Sequence, residues 1–371
     1  MYRIQSLYLL LFALVVFSCK QTTEQSAEDQ KEEETIERSQ KDFKKIDFHA
    51  HYRYDRDFLL PLLREWNMQA LLVDVAKEDT AMNSKMWGLL KGMYNKYQDQ
   101  FFLCASFESS NIDDPEFANK IIAKLEKDFE AGARMVKVWK VHGMVTKDKA
   151  GNYIQIDDPR IQPVWDYLTE KNVPVLAHIG EPIQAWLPLP EDEGRPHVGY
   201  YRDHPEYHAY NFPEIPKWET IMAARDNWIA KNPNLVVVAA HMGSMSHDLD
   251  LVAERLDKYP NMLVETAARW ADIVLQDPQK VRDFFIKYQD RVIYGTDFGI
   301  NTPSENADEG TKNMINKRIG LHWDYVSGAD SLNFDRGSFQ TNTHSLNLPD
   351  DVLSKFYYDN AMKVLNREFE F

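Results

Sequence analysis

Ile46-Asp47-Phe48-His49-Ala50-His51 reads as a short strand that ends in two histidines one residue apart. Side chains two apart on a strand share a face. Regular geometry therefore groups Asp47, His49 and His51 on one side and Ile46, Phe48 and Ala50 on the other. Two imidazoles side by side at a strand end can reach one divalent cation, and borderline metals such as zinc favour imidazole nitrogen. An isolated His-x-His is more often a pair of ordinary hydrogen-bonded strand residues. Its meaning depends on what the chain sets beside it.

From Lys45 onward, short apolar runs alternate with helical patterns. The runs are Ile46–His51, Ala70–Val75, Phe101–Phe107, Met135–Val141, Val173–His178, Leu235–His241, Met262–Thr266 and Val292–Asp297. Amphipathic stretches lie between them, among them Pro115–Ala131, Ile161–Lys171, Trp218–Lys231, Ser246–Tyr259 and Lys280–Tyr288, with a last helix at Pro349–Leu365. Near-continuous apolar strands separated by helices indicate a parallel sheet covered on both faces. Eight such units over roughly 320 residues fit a single α/β domain, a closed (β/α)8 TIM barrel, over 45–371. An open doubly wound sheet is the competing architecture, but no Gly-x-Gly-x-x-Gly follows any strand.

Two connections exceed what a barrel needs. Glu181 to about Pro216, after strand 5, carries Trp186, Tyr200, Tyr201, His204, Tyr207 and His208 among several prolines. Gly299–Leu348, after strand 8, is rich in Asn, Ser, Thr and Asp. Long loops leaving strand C-terminal ends commonly form lids and binding walls. The aromatics, Trp186 included, either meet a planar substrate or pack the lid.

Four strand ends carry metal-capable or proton-transferring groups: His49-x-His51, His178 in Ala177-His178-Ile179-Gly180, His241 in Ala240-His241-Met242-Gly243, and Asp297 in Gly295-Thr296-Asp297. A barrel gathers these ends over one cavity. Together with Asn360-Ala361 near the C-terminus, the pattern resembles the amidohydrolase superfamily, in particular its mononuclear hydrolase and decarboxylase branch. The resemblance implies that His49, His51 and His178 ligate one divalent metal, Zn2+ or alternatively Mn2+. It also implies that Asp297 completes the site and takes a proton from water, and that His241 stands beside the metal as a proton-transferring or carbonyl-polarising group. A metal held by imidazoles and a carboxylate with one open position lowers the pKa of water from 15.7 to about 7.

Strand 4 is less decisive. Binuclear members of the superfamily bridge two metals with a carboxylated lysine, and Met135-Val136-Lys137-Val138-Trp139-Lys140 offers two lysines. They are three apart, so regular strand geometry points only one of them inward. The inward one, Lys137 or Lys140, is a bridging carbamate holding a second metal, a bare cation for an anionic substrate, or half of a structural ion pair. His142 and Arg269 are further candidates for contact with an anionic group.

The N-terminus differs in kind. Arg3, the apolar run Leu7–Phe17 and Val16-Phe17-Ser18-Cys19 resemble a bacterial lipoprotein signal. That resemblance implies removal of residues 1–18, acylation of Cys19 and a lipid-anchored protein of the cell envelope, on the outer membrane or periplasmic face. Residues 19–44 are polar and acidic and read as a solvated tether. The formal charge of −15 owes part of its size to this segment. No basic patch with interleaved aromatics appears, so nucleic acid is not an expected partner, and a homo-oligomer is left open. With Cys19 acylated, Cys104 is the one remaining thiol, inside an apolar run. The expected function is hydrolysis of an amide, ester or lactone in a small extracytoplasmic molecule by metal-activated water. A non-oxidative decarboxylase is the alternative, and a silent binding lipoprotein the third reading.

Overall fold

A computed structural model describes residues 38–369 except 79, 193, 194 and 338. The signal segment, Cys19 and most of the expected tether lie outside the described residues. The chain forms strands β1 (Lys45–Tyr52), β2 (Met68–Val73), β3 (Phe101–Ser106), β4 (Ala133–Val138), β5 (Val175–Ala177), β6 (Val237–Ala239), β7 (Met262–Glu265), β8 (Val292–Ile293) and β9 (Phe298–Ile300). They pair in parallel in the order β8-β7-β6-β5-β4-β3-β2-β1-β9. Of the expected eighth strand, Val292–Asp297, only Val292–Ile293 is strand, and β9 begins just beyond it. Between β8 and β9, Tyr294 O accepts from Phe48 N at 3.0 Å and Asp297 N donates to His49 O at 2.8 Å. β9 then pairs with β1, so the sheet closes on itself as a (β/α)8 barrel.

The strand alternation predicts two cores, and two are found. Ile46, Phe48, Leu71, Val73, Cys104, Met135, Leu176, Val238, Leu263 and Ile293 fill the barrel interior. Ala361, Val364 and Leu365 of the last helix, Asn360–Leu365, join this cluster and cover the strands' N-terminal mouth. Ala70, Leu72, Leu103, Val136, Val175, Val237 and Val264 face outward against the helices.

Strand β1 departs from the expected phase. Ile46 and Phe48 lie in the inner cluster, yet Ala50 and Tyr52 lie in the outer one. The register with β2 shifts between Asp47 and Ala50. A bulge of this kind reverses which face the following residues take. Regular alternation would have put His49 and His51 opposite Phe48; the bulge turns them to the cavity side. Asp47 does not accompany them.

Loop content also differs. The segment after β5 is built from short helical turns, Ile183–Trp186, Val198–Asp203, Pro205–Tyr207 and Ala209–Asn211. The segment after strand 8 is not structureless: it holds the helix Asp308–Ser327 and an antiparallel hairpin, β10 (Ser331–Asp335) with β11 (Gln340–His344). Ile315, Ile319, His322, Trp323 and Val326 are its buried face, a helical spacing diluted by surrounding polar residues. Residues 38–44, expected as the end of the tether, already touch the barrel. Arg38 donates to Ser327 O at 3.0 Å and pairs with Asp350 at 3.0 Å.

Candidate active site

Each imidazole at the mouth of the barrel has one nitrogen whose role its surroundings fix. His51 Nδ1 faces Val73 O at 3.0 Å. A carbonyl only accepts, so Nδ1 carries the hydrogen and Nε2 presents a lone pair. His49 Nδ1 lies 2.9 Å from Glu265 Oε1 with the same consequence. His241 Nδ1 donates to Ala267 O at 2.8 Å, which leaves its Nε2 to accept from His178 Nδ1 at 3.1 Å. That bond in turn leaves His178 Nε2 as a lone pair, buried and without a partner. Tautomers are therefore set in sequence, and the Nε2 atoms of His49, His51 and His178 all remain as acceptors.

Asp297 stands among them. Its Oδ1 is 3.2 Å from His51 Nε2 and 3.7 Å from His49 Nε2. Burial would raise its pKa; a proton on His51 or His49 and the Lys137 ammonium each act the other way, and the balance holds it well below the usual carboxylate range. Burial first, then neighbouring charges, pushes His178 and His241 well below the usual imidazole range, and His51 is lowered as well. Neutral imidazole lone pairs facing an ionised carboxylate repel one another unless a cation lies between them. The group fits a divalent ion: His49, His51 and Asp297 each offer a ligand atom within 4.8 Å of the others. His49, His241 and Glu265 also meet that spacing, but Glu265 is already engaged by backbone donors.

The positions of His241 and Asp297 are held by unusual backbone. By alternation Ala240 faces inward, and it packs in the inner cluster. His241 reaches the cavity because the chain turns through left-handed residues, His241 (φ 59°), Met242 (φ 56°), Gly243 (φ 62°) and Ser244 (φ 60°). Asp297 is left-handed too (φ 65°). For His241, Met242 and Ser244 such backbone costs about 1–3 kcal/mol each and persists where the surroundings over-determine it. At the strand break the surroundings include Asp47. Its Oδ1 accepts from Thr296 N at 2.9 Å and its Oδ2 from Thr296 Oγ1 at 2.6 Å. Burial pushes Asp47 up to about 7 against those hydrogen bonds. Asp47 is a clamp beneath the site.

Two lobes of one cavity, of about 360 and 420 Å3, share His178, His241, Asp297 and Tyr200. The smaller is lined by His49, His51, Lys137, Lys140 and Trp139, the larger by Glu181, Arg269, Arg318 and Arg336. The amidohydrolase family profile matches residues 107–367. The chain belongs to the amidohydrolase family. The match begins after β3, so His49 and His51 lie outside it. No curated protein sequence matches the chain. Among solved structures, an uncharacterised TIM-barrel protein from Bordetella bronchiseptica is similar, with 14% identity and TM-score 0.52, over 87% of this chain and 99% of that one. A 2,6-dihydroxybenzoate decarboxylase from Rhizobium is 16% identical with TM-score 0.49, over 88% and 100%. A dihydroxybenzoic acid decarboxylase from Polaromonas sp. JS666, solved with manganese, is 15% identical with TM-score 0.49, over 88% and 98%. The likeness to the Bordetella protein extends to the fold.

Both candidate lysines of this amidohydrolase line the cavity, contrary to the expectation that only one points inward. β4 ends at Val138, and Lys140 takes a helical conformation beyond it, so strand alternation no longer applies. Lys137 Nζ donates to His49 Nε2 at 3.1 Å, and burial pushes its pKa down to about 8. Lys140 is paired with Glu181 and donates to Tyr200 Oη at 2.9 Å. Arg269 lies in the same cavity. Two expected contacts lie elsewhere. His142 is buried behind β4 with Nε2 2.7 Å from Ser109 Oγ, because the chain kinks at His142–Gly143. Trp186 donates to Pro216 O at 3.0 Å and ties the two ends of the lid together.

Glu265 is the residue sequence reasoning passed over. Fully buried at the end of β7, it accepts from His49 Nδ1, from His241 N at 2.8 Å and from Ala267 N. Gly295 leaves room for it: a Cβ there would stand 2.6 Å from Glu265 Oε2. The available signal was a carboxylate closing the apolar run Met262-Leu263-Val264. Carboxylates in this position orient metal-binding histidines and raise their basicity.

Proposed function

We propose that this amidohydrolase is a metal-dependent hydrolase of a small anionic molecule, with His49, His51, His178 and Asp297 as the residues that hold one divalent ion. The supporting observation is the convergence of the His49 and His51 Nε2 lone pairs on Asp297 Oδ1, a contact that only a cation or an added proton reconciles. When bound, zinc or manganese supplies Lewis-acid chemistry, acidifying water and polarising a carbonyl oxygen. The chain's own residues do the rest. Asp297, ionised and beside the cavity, can accept a proton at Oδ2 or Oδ1. His241 is neutral with Nδ1 committed to Ala267, so a proton reaches it or leaves it only at Nε2, the atom beside His178. Glu265 keeps His49 in one tautomer. Lys140 and Arg269 confer the positive character that favours a substrate bearing a negative charge.

The same cations favour a second reading, decarboxylation, because they would also bind a carboxylate that is to be lost. Metal-loaded protein assayed against lactones, N-acyl amides and aromatic carboxylates, with CO2 release followed in parallel, decides between the two. Hydrolysis that requires His49 and evolves no CO2 supports the hydrolase. Stoichiometric CO2 supports the decarboxylase. Metal at one equivalent with neither activity across the panel, or no metal bound at all, counts against an enzyme of either kind.

A further inference from the structure

The larger lobe gathers three arginines from elements far apart in sequence. Arg269 follows β7, Arg318 lies midway along the helix Asp308–Ser327, and Arg336 sits at the tip of the β10–β11 hairpin. All three line the wall of the same cavity. Of the three, among the described residues, Arg269 alone comes near a carboxylate, with Nη2 3.9 Å from Glu181 Oε2, and that carboxylate is already engaged by Lys140. Arg269 is 7% exposed, and its Nε is buried without a partner. Arg318 lies over the ring of Phe298, 5.8 Å from its centroid. Among the described residues, no carboxylate lies within ion-pair distance of Arg318 or Arg336. The remaining acids of the lobe are accounted for: Asp297 faces His49 and His51, and Asp203 is exposed at the rim. Asp272, just behind the wall, is held by His197 at 2.9 Å and by Ser246.

Gathering guanidinium groups in a half-enclosed space with fewer counter-charges than cations is destabilising, because burial and mutual repulsion both oppose it. Burial first, then Arg318 and Arg269 nearby, push the Arg336 pKa down to about 10 against the opposing charge of Asp272, which leaves it fully charged at neutral pH. The fold holds this arrangement in place. Ile315, Ile319 and Trp323 anchor the helix that carries Arg318, and Phe334 and Phe339 bury the hairpin that carries Arg336. The hairpin tip is fixed further by Gly337 (φ 93°), whose N–H donates to Asp335 Oδ1 at 2.7 Å. Guanidinium forks match the paired oxygens of carboxylate, phosphoryl and sulfonate groups, and binding one would discharge the repulsion.

We propose that Arg269, Arg318 and Arg336 form an oxyanion subsite, separate from the His49/His51/Asp297 cluster, that holds a negatively charged group on the substrate away from the reacting bond. The substrate is then a molecule with two distinct ends. One is an oxyanion, carboxylate, phosphoryl or sulfonate. The other fits the smaller lobe, where Val75, Met86 and Trp139 give an apolar wall. This inference rests on the reading of the cavity as an active site. It goes beyond that reading in assigning the insertion after strand 8 to substrate selection.

The test is calorimetric titration of the full-length protein, metal-loaded and metal-free, with benzoate, benzene-1,3-dicarboxylate, phenylphosphonate and inorganic phosphate. Comparison of the dicarboxylate with the phosphonate separates a carboxylate from a phosphoryl preference. Arg318→Gln/Arg336→Gln should weaken dianion binding at least tenfold in both metal states and leave the metal content unchanged. Arg336→Gln alone, at the hairpin tip, should weaken it several-fold without a change in Tm, which guards against misfolding of the double variant. Dianion affinity equal in wild type and both variants overturns the subsite. So does binding that vanishes on metal removal, since the anion would then sit at the histidine cluster. Anion binding that the variants lose, in a protein that binds no metal and turns nothing over, would keep the subsite and overturn the metal-dependent enzyme instead.

Discussion

Replacing Glu265 by Gln changes one oxygen to an NH2 group and leaves shape and volume almost untouched. Three donors converge on the native carboxylate: His49 Nδ1 at 2.9 Å, His241 N at 2.8 Å and Ala267 N. If the amide keeps its oxygen toward His49 and His241, its NH2 faces the N–H of Ala267. One charge-assisted bond is then lost, and two donors are left buried and opposed. A buried unsatisfied donor costs about 1–3 kcal/mol, so the metal-free protein should lose roughly 3 kcal/mol of stability. His49 keeps a neutral acceptor in place of an anionic one, and the rotation of its ring is less restrained. Loss of such a supporting partner typically weakens metal binding 10–100-fold, about 1.4–2.7 kcal/mol. The assay is competition against a chromophoric chelator, beside thermal unfolding of the metal-free forms. Gly295→Ala gives an independent check, because its Cβ would press on Glu265 Oε2 from 2.6 Å while every donor stays in place. It should weaken metal binding in the same direction. Metal affinity within twofold of wild type in both variants would refute the role given to Glu265.

The proposed ligands and the proposed proton carrier separate by metal content. His49→Ala, His51→Ala and His178→Ala should lose metal and activity together, whereas His241→Ala should keep near one equivalent while turnover falls about 10^2–10^4-fold. Elemental analysis beside rates shows which; equal metal loss in His241→Ala would make it a ligand. A pH effect is expected outside the cavity. Burial lowers His142 to about 4 from an ordinary 6.5, so below pH 6.5 the unfolded chain takes up a proton that the folded chain refuses. Stability should therefore fall as pH drops from 6.5 toward 4, by an order of 3 kcal/mol from this group. Denaturant unfolding at pH 7.5 and 4.5 should show a smaller difference for His142→Gln than for wild type, and equal differences would contradict the assignment. At the other end of the chain, the proposal that Cys19 is acylated predicts that Cys19→Ser releases the protein from membranes. A wild type that fractionates as soluble, with no lipid by mass spectrometry, would remove the anchor.

The barrel was legible because its strands are simple. Runs such as Val236-Val237-Val238 and Met262-Leu263-Val264 are apolar on both faces, as buried parallel strands require. The residues at the strand ends were legible as a set, since histidine and aspartate after such runs are conspicuous. Their approach to the cavity was not. His49 and His51 enter through a bulge and His241 through a left-handed turn, and neither feature leaves a periodic trace. The helix Asp308–Ser327 was hidden for the opposite reason: its buried face is interrupted by polar and charged residues, so composition suggested a loop. His142 and Trp186 were misplaced because a residue near a strand end in sequence need not face its mouth once the chain kinks. Glu265 went unread because a lone acid after an apolar run resembles the start of a loop.

The break between β8 and β9 places Asp297 at the seam where the cylinder meets itself. Its amide is one of the stitches, and its left-handed backbone is tolerable for aspartate, asparagine or glycine but costs about 1–2 kcal/mol for most other residues. The proposed chemistry and the closure are thus joined at one residue. Asp297→Asn tests the chemistry alone, while Asp297→Ala or Asp297→Leu would also strain the seam and report on barrel integrity. A related chain that had given up turnover would be free to exchange His241 or Lys137 widely. At the position of Asp297 it would drift mainly toward asparagine or glycine, so the residue found there distinguishes a barrel that has retired from catalysis from one that has never relied on this seam.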